Sequence, residues 1–381
     1  MQFEFATSTR IVFGPGSVRA VAPAARAMGR RALLVTGRSL ERSRPLESEL
    51  VNAGLEVSRF VITGEPTVEQ ASEGAALARQ QHCDVVIGMG GGSAIDGAKA
   101  IAAWAANAGD PLQYLEVIGE GRALDTAPLP FIAVPTTAGT GSEVTRNAVL
   151  AAPEQKVKVS LRSSRMLAAL AVVDPELTLD LPPAITASTG LDALTQVIEP
   201  YVSVRANALT DLFCTEGLLR VRRSLARAYQ NGEDREARTD MSYASLLGGL
   251  SLANAGLGVV HGFAGPIGGM FDAPHGAICA ALLPYGVDVN VRALRARGQP
   301  VDRFQRVAQV LTGLSHASAE DAAVWLHSLC ERLEVKPLRH YGIRLAHVAE
   351  LIEKAAKSSS MKGNCCVLSP AEMEEAIGPA I

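Results

Sequence analysis

"VVIGMGGGSAIDGAKA", residues 85–100, joins an apolar run to three glycines and Ser93, and then to an alanine-rich helical pattern. A strand buried on both faces of a parallel sheet reads as one continuous apolar run, and a crossover helix follows it. Glycines at that junction let an anion approach the backbone, where the free N–H groups and dipole of the helix start face it. The spacing is not GxGxxG, and it lacks the GK[ST] ending of a nucleotide-triphosphate loop. Taken alone, the stretch fits either an anion cradle or a tight turn.

The neighbouring sequence extends this grammar. "RALLVTG" (31–37), "EVSRFVITG" (56–64), "CDVVIGMG" (83–90) and "PFIAVPTT" (130–137) are short apolar runs bounded by Gly or Pro, and amphipathic stretches at 68–81 and 94–107 lie between them. Strands alternating with helices predict a parallel sheet covered on both faces. From Pro182 onward the pattern becomes long, Ala/Leu-rich and helical, over 187–203, 206–229, 235–255, 317–333 and 344–356. The expected organisation is an α/β domain at 1–180, Rossmann-like, and an all-α domain at 181–381. A second loop of small residues and hydroxyls, "PTTAGTGSEVT" (135–145), also follows an apolar strand. Two such loops at the ends of parallel strands sit where open α/β sheets bind ligands, which predicts a dinucleotide site.

The totals exclude several function classes. With 36 basic and 39 acidic residues and no Lys/Arg-rich run, a nucleic-acid or anionic-membrane surface is not expected. Met241 to Phe271 carries no charged residue but holds Asn254, His261 and repeated glycines, which suits a buried helix pair better than a membrane span. The first residues show no secretory pattern. The six cysteines have no CxxC spacing, so reduced thiols in the cytoplasm are expected.

Four stretches in order, GGGSAIDGAKA, PTTAGTGSEVT, "STGLDALTQVIEPYVS" (188–203) and "HGFAGPIGGMFDAPHG" (261–276), resemble the iron-containing (group III) alcohol dehydrogenases. The likeness runs from "RIVFGPGS" at 10–17 to "LLPYGVDVN" at 282–290. It implies a dehydroquinate synthase-like architecture, a small-molecule alcohol or aldehyde substrate, NAD(P), a divalent metal (Fe2+ or Zn2+) and a homodimer or higher homo-oligomer. By the same resemblance Gly91, Gly92 and Ser93 would bind pyrophosphate, with Asp96 at the matching helix position. Thr136, Thr137 and Ser142 would line the ribose and phosphate. Lys158 falls where the family keeps a lysine near the cofactor, although an ordinary strand-end lysine reads the same.

The family holds its metal with one Asp and three His, two of these ligands lying four residues apart in D-A-L-T-H. Here the pattern ends in Gln196, with Asp192 in register and His261 and His275 matching the other ligands. An amide oxygen is a weaker donor to a transition metal than imidazole. His261 and His275 must come from different helices or turns, being separated by Pro266, Pro274 and several glycines. A second departure is Gly265, where many members carry a histidine of the proton relay. A third is Cys365-Cys366, where Pro and a basic residue are expected after Asn364; a structural role suits these cysteines better than a reactive one. After "RALLVT" many members place an aspartate that repels a 2′-phosphate, whereas this chain has Gly37 and Arg38. That predicts use of NADPH at least equal to NADH, unless Arg38 is simply a solvated loop residue. Two other readings stand beside the dehydrogenase. One is a related lyase or phosphate-ester dehydrogenase, which would need cationic groups that the stretch around His261 and His275 lacks. The other is a degraded nucleotide-binding subunit. No acid–base catalyst is assigned, since the metal would act as the Lewis acid.

Overall fold

Along β2 (Arg31–Thr36) Leu33 and Val35 join one apolar cluster while Ala32 and Leu34 join another, and all four are fully buried. Side chains alternate across a strand, so an unbroken apolar run means that both faces of the sheet are covered. The computed structural model, describing residues 2–107 and 109–381, has this form. Among the described residues six strands make one parallel sheet in the order β1 (Ile11–Phe13), β8 (Leu170–Val173), β5 (Phe131–Pro135), β4 (Val85–Gly90), β2, β3 (Glu56–Val61). Helices α1 (Val21–Met28) and α2 (Leu40–Asn52) contribute to the cluster on one face, and α3 (Val68–Gln80) and α4 (Gly92–Ala106) to the other. The chain runs outward from β2 to β3, then returns to place β4 on the other side of β2. The carboxyl ends of β2 and β4 therefore flank a topological switch point, where open α/β sheets bind ligands. An antiparallel hairpin, β6 (Asn147–Ala152) and β7 (Val157–Arg162), completes this unit.

This unit comprises Ala6–Thr137 and Gly141–Thr178, and the second comprises Leu179–Ile381, Ala138–Thr140 and the N-terminal residues through Phe5. Ala138–Thr140 thus departs from a division by sequence alone. A Cβ on Gly139 would lie 2.7 Å from the Thr189 Cβ, so only glycine lets this short segment sit so close to the helix carrying Thr189.

The second unit is built from α5 (Pro183–Val202), α6 (Ala208–Gln230), α7 (Arg235–Ala255), α8 (Val259–Met270), α9 (His275–Ala296), α10 (Asp302–Thr312), α11 (Asp321–Arg332), α12 (Val348–Lys357) and α13 (Pro370–Ile377). The charge-free stretch 241–271 is the later part of α7 followed by α8, bent by 97° at Gly256–Gly258. Among the described residues α9 alone is long and apolar enough to cross a membrane by itself, and 78% of its apolar window is buried inside the protein. Its apolarity is that of a core helix.

Candidate metal centre and nucleotide loops

α5 is buried along most of its length, and Asp192 in its middle is 1% exposed. A carboxylate taken out of water needs compensating partners. Two imidazoles face it. His261 Nε2 lies 3.4 Å from Asp192 Oδ1, and His275 Nε2 lies 3.8 Å from the same atom. His261 is on the first turn of α8, and His275 is the first residue of α9, immediately after Pro274. The loop 271–274 between these helices folds the two rings to a centroid separation of 5.4 Å.

Glu199, two turns after Asp192 on α5, orients His261. Its Oε2 accepts from His261 Nδ1 at 2.7 Å, and its Oε1 accepts from the Val260 backbone N–H at 2.7 Å. A proton on Nδ1 leaves the Nε2 lone pair aimed at Asp192, the arrangement by which a carboxylate fixes a metal-ligating imidazole. The adjacent Val259 N–H donates to Asn364 Oδ1, so two side chains from elsewhere in the unit satisfy the first turn of α8. Gly258 makes room for them, since a Cβ there would lie 2.9 Å from both acceptor oxygens. Sequence reasoning assigned no role to Glu199, although it lies seven residues after Asp192 and so nearly on the same helix face.

Cys279, also given no role by the sequence, completes the cluster. Its Sγ lies 3.7 Å from His275 Nε2 and 3.9 Å from His261 Nε2. The signal that would have found it is its place one turn after His275 on α9. Burial pushes the Cys279 thiol up, but His275 and His261 outweigh it and hold the thiol below its ordinary value. Burial likewise opposes ionisation of Asp192, yet the two imidazoles keep its carboxyl below the usual range. Burial disfavours imidazolium, while Cys279 with Glu199 at His261, and Cys279 with Asp192 at His275, raises both rings above their ordinary values.

These groups fit a metal. Asp192 Oδ1 is buried with no hydrogen-bond partner, an expensive condition unless something else compensates it. One donor atom each from Asp192, His261, His275 and Cys279 lie within 4.8 Å of one another. Gln196, on the same face of α5 as Asp192, is 2% exposed, and its Oε1 is also buried without a partner. Gly265 carries no side chain, and nothing lies within 4 Å of where its Cβ would stand. Cys365 and Cys366 are elsewhere in the chain's last quarter, half-buried, with sulfurs 4.0 Å apart.

The two glycine- and hydroxyl-rich loops meet within the α/β unit. A Cβ on Gly91 would stand 3.4 Å from Thr137 Cγ2, and Thr136 donates its backbone N–H to Gly90 O. A Cβ on Gly90 would lie 3.6 Å from the backbone nitrogen of Gly37, so the ends of β2 and β4 are adjacent at the switch point. Gly91 caps α4 without a side chain, and Gly91, Gly92 and Ser93 are half-buried. Asp96 and Ser142 are engaged within the unit. Asp96 Oδ2 accepts from the Val149 N–H, its Oδ1 pairs with buried Lys99 at 3.4 Å, and Ser142 O accepts from Lys99 at 2.8 Å. Lys158 on β7 pairs with Glu65 at 3.2 Å, and exposed Arg38 donates to Thr63 O at 3.4 Å.

Residues 8–175 match the family model described as iron-containing alcohol dehydrogenase, and residues 186–380 match the Fe-containing alcohol dehydrogenase family, C-terminal. The 1,3-propanediol dehydrogenase of Klebsiella pneumoniae is 35% identical over 95% of this chain and 96% of its own. The NAD-dependent methanol dehydrogenase of Bacillus methanolicus is 35% identical over 82% of each chain. A solved 1,3-propanediol oxidoreductase superposes over 100% of both chains with a TM-score of 0.92 at 33% identity. The fold, the converging acidic and imidazole donors and these likenesses agree: the chain belongs to the iron-containing alcohol dehydrogenase family and is a metal-containing, NAD(P)-dependent alcohol dehydrogenase.

Proposed function

We propose that the protein interconverts a small primary alcohol and its aldehyde, with Asp192, His261 and His275 holding the metal and Gln196 beside them. The carrying observation is the partnerless, buried Asp192 Oδ1 facing two imidazole nitrogens. A divalent ion held by these residues would supply Lewis acidity toward the alcohol oxygen, and a bound nicotinamide would supply the hydride chemistry. Glu199 holds His261 in the tautomer that leaves Nε2 free to coordinate. The bare Gly265 leaves space beside α8 for water or substrate, so proton exchange would proceed through solvent or a ribose hydroxyl.

Gly91, Gly92 and Ser93 at the uncapped start of α4 would receive the pyrophosphate, with Thr136 and Thr137 beside it. We assign Asp96, Ser142 and Lys158 to shaping this loop region, given their internal bonds. With Gly37 in place of a carboxylate, NADPH would serve at least as well as NADH. The six unpaired cysteines support a reducing, cytoplasmic setting, and the family resemblance supports a homo-oligomer. The test is metal analysis of purified protein paired with an NADH- and NADPH-linked panel of alcohols and aldehydes. His261→Ala and His275→Ala should lose metal and turnover together. Full metal retention in His275→Ala protein would refute the assignment.

A further inference from the structure

The metal reading leaves one ligand position open, because this chain has Gln196 where the resemblance leads one to expect an imidazole. We propose that the fourth protein ligand is the Cys279 thiolate, and that Gln196 is a positioning residue beside Asp192. The inference rests on the reading that Asp192, His261 and His275 bind a divalent ion.

Geometry carries it. Metal–ligand bonds of about 2.0–2.3 Å to oxygen, nitrogen and sulfur give tetrahedral ligand–ligand edges of roughly 3.3–3.7 Å. Four edges of the cluster measure 3.4 Å (Asp192–His261), 3.8 Å (Asp192–His275), 3.7 Å (Cys279–His275) and 3.9 Å (Cys279–His261). They lie at or slightly above those values, as expected for donors arranged around a point. With His261 Nδ1 committed to Glu199, its Nε2 is the nitrogen that faces Asp192 Oδ1 and Cys279 Sγ. Asp192 Oδ1 is buried without a hydrogen bond of normal geometry, with both imidazole Nε2 atoms facing it.

Gln196 lies one turn after Asp192 on α5; its Oε1 is buried without a hydrogen-bond partner, 3.4 Å from where a Cβ on Gly248 of α7 would be. Cys279 and His275 occupy successive turns of α9, so that helix would supply two ligands at i and i+4. The acid and its neighbouring amide come from α5. One soft sulfur among hard and borderline donors shifts preference from iron toward zinc or cobalt.

The test uses the full-length protein stripped of metal and reloaded with cobalt(II) chloride, read by absorption and by metal stoichiometry. The expected result is one bound cobalt and a near-ultraviolet thiolate-to-cobalt charge-transfer band. The band should persist in Gln196→Ala, whose metal affinity falls by about 10-fold, within the range seen when outer-sphere partners of a ligand are removed. It should vanish in Cys279→Ala, with a larger loss of affinity. Cys279→Ser keeps the size and polarity of the side chain, so loss of the band in that variant, with an unchanged far-ultraviolet spectrum, excludes misfolding as the cause. Cobalt bound without the band in the unaltered protein overturns the thiolate assignment while leaving the metal reading intact. Failure to bind cobalt or zinc at all overturns both.

Discussion

Gly37 directly follows β2, beside the backbone of Gly90, and an added Cβ would meet nothing within 4 Å. A side chain can therefore be introduced there without moving the backbone, which isolates its electrostatic effect. In Gly37→Asp a carboxylate would accept hydrogen bonds from an adenosine ribose and repel a 2′-phosphate, whereas Arg38, already exposed, can approach one. The expected outcome is a shift of the NADPH-to-NADH ratio of kcat/KM toward NADH by about tenfold or more, equivalent to ~1.4 kcal/mol per decade. Strict NADH dependence of the unaltered enzyme would remove the basis for this expectation. The candidate residues that carried a distinctive pattern in the sequence were Gly91–Gly92–Ser93, Asp192, His261 and His275, and the structure brings the last three together. Glu199 and Cys279 were not singled out, because a carboxylate or thiol one or two helical turns from a candidate ligand has no signature until the helices are packed.

At the scale of elements, α6 and α7 are joined by one buried carboxylate. Asp240, 2% exposed, accepts from Arg223 Nε and Nη2 at 2.7 Å each, from Arg220 Nη1 at 2.8 Å, and from the Ser224 hydroxyl. Burial pushes this carboxyl up, but the bonds from Ser224, Arg223 and Arg220 outweigh it and hold it below the ordinary carboxylate value. A depressed folded-state pKa contributes stability that is present above the unfolded value of about 3.9 and disappears as pH falls through the folded one. Asp240→Asn should therefore destabilise the helical unit at pH 7 by about 1–3 kcal/mol, the upper part of this range being reduced by the half-exposed arginines. The difference in urea midpoint from the unaltered protein should narrow below pH 4. A difference that stays constant down to pH 2 would show that packing, not the carboxylate charge, is what the substitution removes. The hairpin β6–β7 is the element the sequence conveyed least, since its first strand is alanine-rich and buries only every second residue. That is too faint an alternation to separate from loop.

Across the whole molecule, the α/β half was legible because a doubly covered parallel strand is apolar at every position, as β4 is from Val85 to Gly90. The helical half was legible in class but less so in detail, since the 97° bend between α7 and α8 depends on the Gly256–Gly258 junction rather than on hydrophobic period. That bend places His261 opposite Asp192, while α9 brings His275 and Cys279, so candidate donors from three helices meet at one point. An ion held there would tie together elements distant in sequence and would bind the folded unit in preference to the unfolded chain. Free metal at about 100 times its dissociation constant should add about 2.7 kcal/mol to stability. For a unit of this size each kcal/mol shifts Tm by about 2–4 °C, so chelation should lower the helical unit's transition by about 5–10 °C. Thermal unfolding followed by calorimetry, with and without chelator and then with added zinc, measures this. The His275→Ala protein supplies the control, because its transition should not respond to either addition. A chelator effect of equal size in His275→Ala would place the stabilising ion somewhere other than the Asp192 cluster.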